Sequence, residues 1–276
     1  MAVRARLRLF FNVMAIVTVL ILLKAGVHYF NLEFLPLDTL FPSVVAGTIF
    51  IVGFLLTGML PDYKEAERLP GRIRVSLEAL HQHAIAFGKQ APSFDVAGLR
   101  ARLRNIVLAL RTSLGPEGHH SHLETAIAEA DKLYPYLEDF DRLGIPSNVL
   151  VRLHSEMDAL KGSLFRIHHI QKTEFVPSAR VLIQTLVGAI LFLLLCLKTD
   201  GSYGATITFG FVSYLFVYSM HLISVFEQPF RQGEHSADKV SLFLLSDFLH
   251  QLDAVEAPRD TAEPASALNY ASVQTA

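Results

Sequence analysis

Twelve histidines in a chain of 276 residues are the first candidates for chemistry, because imidazole nitrogens ligate metals and exchange protons near neutral pH. They group as His81-x-His83, His119-His120-x-His122 and His168-His169. The histidine boxes that hold two irons in four-span membrane desaturases need H-x3-4-H and H-x2-3-H-H spacings, and none occurs here. His119 to His122 fall in a loop at a helix start, where solvation is the expected state. No metal site and no cofactor is therefore expected. The chain also lacks a nucleophile elbow, a phosphate-cradling glycine loop and an H-E-x-x-H helix. Asp247 and Glu227 are read as solvated carboxylates. No catalytic residue is assigned, and the chain is not expected to be an enzyme.

A second arrangement is physical rather than reactive. Residues 39 to 60 contain PSVVAGTIFIVGFLLTGML, in which Ala46, Phe50 and Phe54 fall at i, i+4 and i+8 on one helical face, continued by Thr57 and Gly58. Taken alone, these aromatics suit a lipid-facing or packed surface equally well. Arranged around an axis they would form stacked apolar rings, which can gate a pore by dewetting. Inward phenylalanine edges carry positive quadrupole density and tolerate an anion better than a cation. This span offers no carboxylate ring for a cation. Gly47, Gly53 and Gly58 would permit close helix approach.

The elements that must position such a face follow from the distribution of charge. Hydrophobic residues make up 51% and charged residues 18% of the chain, with a mean hydropathy of +0.38, which is too apolar for an ordinary soluble domain. Uncharged runs at about 9–30, 39–60, 181–197 and 201–226, the first interrupted only by Lys24, are long enough to cross a bilayer as helices. An N-terminal signal peptide is disfavoured because Lys24 and His28 stand where small residues would precede cleavage. Arg4, Arg6 and Arg8 lead into the first run, Lys64, Arg68, Arg72 and Arg74 follow the second, and Arg166, Lys172 and Arg180 precede the third. The two short connections hold only Lys24 and Lys198. Retention of positive charge on the inner side places both termini and the central region in the cytoplasm of a multi-pass protein of the cell (inner) membrane. The net charge of −2 gives no basic field for nucleic acid, and the single Cys196 excludes an intrachain disulfide.

Residues 61 to 180 hold 16 Lys/Arg and 15 Asp/Glu and have helical periodicity. Leu69, Ile73, Leu77, Leu80, Ala84 and Phe87 form one stripe, and Leu99, Leu103, Ile106, Leu110 and Leu114 a second. A third helix begins at Ser121 with Glu124 completing a capping box, and carries Leu123, Ile127, Ala130, Leu133, Leu137 and Phe140, with Pro135 kinking or dividing it. A fourth follows Pro146 with Leu150, Leu153, Met157, Leu160, Leu164 and Ile167. The expected organisation is residues 1–60 with the first two spans, 61–180 as a helical cytosolic region, 181–226 with the last two spans, 227–252 with an amphipathic helix, and 253–276 as a disordered tail. The amphipathic segment 239–252 would lie across a neighbouring subunit or the membrane surface.

Several segments resemble, in order, the bestrophin family. GFLLTGMLPDYKEAERLPGR (53–72) is similar to the end of the second bestrophin span, and RARLRNIVLALRTSLGP (100–116) to a cytosolic helix. LVRLHSEMDALKGSLFRIHHIQKTEFVPSARVLIQTLVGAILFLLL (150–195) resembles the helix that leads into the third span. SVFEQPFRQG (224–233) and VSLFLLSDF (240–248) resemble the region after the last span. Their colinear order over most of residues 41–250 is more specific than any one match.

The resemblance implies a divergent, bacterial bestrophin-like chain: all-α, four spans, a large helical cytosolic part and assembly as a homopentamer around a central pore. It implies a passive channel for inorganic anions such as chloride or bicarbonate. Carry-over through Gly53-Phe54 puts Ala46, Phe50 and Phe54 at a hydrophobic neck, whereas anchoring on Leu69-Pro70 would give Val45, Ile49 and Gly53. A second aperture maps to Asn148 or Val149. The acidic run of the calcium clasp in animal bestrophins is replaced by Arg231, Gln232, Gly233, Glu234 and His235, and Asp62-Tyr63 stands where the family is rich in tryptophan, a residue this chain lacks. These departures keep open a different reading, a non-conducting membrane scaffold whose cytosolic helices recruit a partner protein.

Overall fold

The computed structural model describes residues 2–36, 40–115, 121–172, 177–199, 201–227, 229–230 and 240–256. The described residues form α1 (Ala2–Tyr29), α2 (Leu40–Gly88), α3 (Val96–Ser113), α4 (Ser121–Asp131), α5 (Tyr134–Arg142), α6 (Ser147–Lys172), α7 (Pro177–Cys196), α8 (Tyr203–Glu227) and α9 (Phe243–Glu256). No strand occurs among them, and the only extended pairing described is a single parallel bridge between Leu35 and Leu197. Four helices are long and apolar enough to cross a membrane: α1, α2, α7 and α8. The chain is a membrane protein with a helical domain on one side of its four spans.

The boundary expected at residue 60 does not interrupt the backbone. The second span and the first helix of the domain are one 49-residue helix containing Pro61 and Pro70, about 74 Å long. Each proline removes one backbone hydrogen bond, too little to end a helix whose buried face is packed along both halves. Leu69, Ile73, Leu77, Leu80, Ala84 and Phe87 carry α2 into the core of the domain. Leu99, Leu103, Ile106 and Leu110 do so from α3, and Leu153, Met157, Leu160, Leu164 and Ile167 from α6. Ile127 and Leu150 sit half-buried at the edge of this core.

Local signals account for the helix ends. Asp95 caps α3 by accepting a hydrogen bond from the Gly98 N–H at 2.8 Å. Pro135 divides the expected third helix into α4 and α5, standing in the first turn of α5, where its missing N–H costs nothing. Gly144, at φ +84°, closes α5 in the left-handed conformation that suits glycine. The side chain of Ser121 lies outside the described residues; Glu124 pairs with Lys172 at 3.4 Å. Residues 257–276 of the expected tail also lie outside them.

The amphipathic C-terminal segment corrects the sequence-based expectation. As α9 it extends to Glu256 and packs on α2 and α3 of its own chain, burying Leu245, Phe248, Leu249 and Leu252. The Arg74 guanidinium lies 4.6 Å from the centre of the Phe248 ring, and His81 meets that ring edge-on at 6.1 Å. An apolar face of this width is satisfied by any apolar surface, and the nearest is the flank left open between α2 and α3. Phe248→Ala is expected to destabilise the helical domain by about 3–5 kcal/mol, read as an earlier cooperative unfolding of the detergent-solubilised chain by circular dichroism.

Within the membrane, Val52 and Met59 of α2 pack with Ile183, Val187, Ile190 and Leu194 of α7 and Phe209, Phe216 and Ile223 of α8. The short connections are locked together at the end remote from the helical domain. Lys24 lies 2.8 Å from Glu33, with both side chains more than nine-tenths buried, and donates to the Leu195 carbonyl at 3.2 Å and to that of Leu197. The Thr199 backbone N–H donates to Glu33 Oε2 and its hydroxyl to Oε1, both at 3.1 Å, and His28 Nδ1 stands 3.2 Å from Oε2. Burial raises the Glu33 pKa, but the hydrogen bonds from Lys24, Thr199 and His28 and the charge of Lys24 outweigh it and lower the value to about 2 from 4.5. Because the folded value is depressed, this contribution is complete above about pH 4.5 and is lost as pH falls toward 2. Glu33→Gln is expected to cost about 2 kcal/mol at neutral pH and to flatten the acid limb between those values, measured as thermal midpoint against pH.

Candidate functional site

The candidate surface begins with the phase of α2. Its packed face in the membrane carries Thr48, Val52 and Met59, each at most 3% exposed. At about 100° per residue, Phe50 and Phe54 lie about 160° from Val52, on opposite sides of the direction facing directly away from it. Phe50 is 73% exposed and Phe54 70%. Ala46, Thr57 and Pro61 are exposed alongside them. No side chain among the described residues covers that face. Nothing lies within 4 Å of a Cβ built on Gly47, Gly53 or Gly58, so any close approach these glycines permit is not one made inside a single chain.

The alternative register fits the packing less well. Val45 turns toward the cluster formed with α7 and α8, while Ile49 is 41% exposed. Only Ala46, Phe50 and Phe54 place all three members on uncovered surface. Asn148 and Val149 stand in the first turn of α6, where Asn148 is exposed and Val149 is half-buried against the domain core. A helix of 26 residues puts that turn about 39 Å from the end of α6 that leads back to the spans. The two residue sets therefore lie on different helices at well-separated levels.

Ion pairs brace α2 where it leaves the membrane. Arg166 of α6 grips Glu65 with two hydrogen bonds, from Nε at 3.1 Å and Nη2 at 2.6 Å, and lies 3.9 Å from Asp62. The Arg166 hydrogen bonds, acting against burial and aided by the charges of Arg166 and Arg72, hold the Glu65 carboxyl below its ordinary range. Farther along, the Ser76 hydroxyl donates to Glu156 at 3.0 Å. Between α2 and α6 runs an open groove of about 730 Å³, bordered by Arg72, Val75 and Gly162 among others. No local pattern signals these α2–α6 pairs, because their partners are 80 and 101 residues apart.

Among the described residues the histidines do not converge. His81 is buried, with Nε2 lacking a hydrogen-bond partner; burial and the neighbouring charges of Arg100 and Arg74 push its pKa down despite Glu78. His168 and His169 lie at the far end of α6. No group of three or more His, Cys, Asp or Glu is placed to hold a metal among the described residues. His119 and His120, and the Arg231 to His235 segment, lie outside those residues.

No protein-family model matches the chain, and no curated protein matches it. Solved structures do. A crystal structure of a point variant of a bacterial bestrophin homologue from Klebsiella pneumoniae is 14% identical with a TM-score of 0.68, covering 91% of this chain and 99% of that one. A second variant of the same homologue gives 14% identity and a TM-score of 0.62 over 87% and 97% of the two chains. Its zinc-phased structure gives 14% and 0.62 over 88% and 96%. The chain has the bestrophin fold along almost its whole length.

Proposed function

We propose that this chain is a bestrophin-family protein that assembles as a homopentamer around α2 and conducts anions passively across the cell (inner) membrane. The helical domain and both chain ends would then lie in the cytoplasm, in keeping with the arginines at the start of α1 and after the second span. The observation that carries the reading is the uncovered Ala46-Phe50-Phe54 face of a spanning helix, in a chain that shares the fold of bacterial bestrophin homologues. An exposed aromatic face suits lipid as well. Association around an axis also gives the three bare glycines beside it a function, since they let neighbouring α2 helices approach.

In such an assembly each residue becomes a ring. Ala46, Phe50 and Phe54 are four residues apart, so their rings are spaced about 6 Å along the axis. Water enters a narrow apolar neck reluctantly, and an ion crosses only when the rings wet or part. The edges of the phenylalanines offer positive quadrupole density to a partly dehydrated anion. No carboxylate stands on this face within the span, so a cation gains nothing there. Asn148 would form a polar aperture at the far end of the domain, with Val149 turned toward the core behind it. The Lys24–Glu33 lock holds the opposite end of the spans in place.

The test is ion flux from liposomes containing the purified full chain. The native chain is expected to dissipate a chloride gradient while leaving a potassium gradient largely intact. Phe50→Ala combined with Phe54→Ala is expected to raise basal chloride flux by about tenfold, equivalent to removing roughly 1.4 kcal/mol of dewetting barrier. Absence of flux from both proteins would remove the channel reading and leave the scaffold reading in its place.

A further inference from the structure

Past the membrane, α2 repeats its phase. Its buried residues recur at 18 positions, which is five turns of helix: Thr48 with Ala66 and Ala84, and Met59 with Leu77, all at most 3% exposed. The two prolines therefore leave the azimuth of the helix unchanged from the span into the domain. The same interval applied to the uncovered face takes Ala46 to Lys64, Phe50 to Arg68 and Phe54 to Arg72. All three cations are exposed. Lys64 and Arg68 have no ion-pair partner among the described residues, and Arg72 has none at salt-bridge distance, although its charge reaches Glu65. The acidic groups nearby do not cancel this stripe. Glu65 is taken by Arg166, which also draws on Asp62, and Glu67, exposed about 60° from Lys64 and 100° from Arg68, offsets part of the first ring only.

We propose that Lys64, Arg68 and Arg72 are specificity-determining residues, forming three stacked cationic rings that concentrate small anions in the vestibule immediately inside the neck; this rests on the channel reading. The first ring lies ten residues beyond Phe54, about 15 Å, and the last about 27 Å. Those distances exceed the roughly 8 Å Debye length of physiological salt, so the rings act on the ion population of the vestibule rather than on an ion within the neck. A cleft lined by one sign of charge with low-dielectric walls raises the local concentration of its counter-ion. Glu65 contributes through its bond to Arg166, which keeps a carboxylate beside the stripe from offsetting it.

The experiment is chloride conductance of the reconstituted full chain at about 10 mM and about 1 M salt, where the Debye lengths are about 30 and 3 Å. The triple variant Lys64→Gln, Arg68→Gln, Arg72→Gln is expected to conduct about threefold less, or lower still, at the low concentration and within about 1.5-fold of the native chain at the high one. Arg68→Glu is expected to shift the reversal potential toward cations, and Arg68→Lys to leave it unchanged. These side chains are exposed and outside the core, and Arg74 with the N-terminal arginines remains to orient the spans. A native chain that conducts chloride while the triple variant matches it at both salt concentrations overturns this inference alone. A native chain that conducts no chloride overturns the channel reading, and the inference with it.

Discussion

The phase of α2 sets where the other helices can pack. One helix of 49 residues must present an apolar face to α7 and α8 in the membrane and then to the core of the helical domain, without breaking between them. It does so because Thr48, Val52 and Met59 lie in register with Ala66, Leu77 and Ala84. A helix with one side committed along its whole length leaves the opposite side uncommitted along its whole length. That second side carries phenylalanine where lipid or neighbouring helices surround it and cations where water does.

The other elements hold this helix in position. On one side of the membrane, the buried Lys24–Glu33 pair ties the connection between α1 and α2 to the connection between α7 and α8. A buried pair of this kind costs desolvation and is tolerable only when every oxygen and proton finds a partner, which Thr199, His28 and two backbone carbonyls supply. On the other side, Arg166 clamps Glu65 close to the point where α2 leaves the membrane, and α9 closes the flank between α2 and α3 through Phe248. The spans and the domain are therefore joined by a stiff rod rather than by a linker.

What could be read from the sequence follows the range of the interactions involved. Charge-free runs mark spans because the bilayer excludes charge, and the apolar stripes of α3 and α6 appear at helical spacing because packing demands it. Pro61 and Pro70 do not end α2, because their cost is local and the packing that outweighs it is not. The destination of α9 was illegible because its amphipathic period is the same on any apolar partner. Glu33 with Thr199, and Glu65 with Arg166, pair residues 166 and 101 positions apart, which no local pattern reports. Of the candidate site, the spacing of Ala46, Phe50 and Phe54 was visible in the chain. That Lys64, Arg68 and Arg72 continue it became visible only once α2 was seen to keep one azimuth through both prolines.

The uncovered face of α2 is proposed to surround an axis. An image of the purified full-length particle viewed down its symmetry axis tests it most directly. A fivefold ring is expected, with α2 innermost and the Phe50 and Phe54 side chains pointing at the centre. A monomer or dimer, or a ring with α2 facing the surrounding detergent, would contradict it.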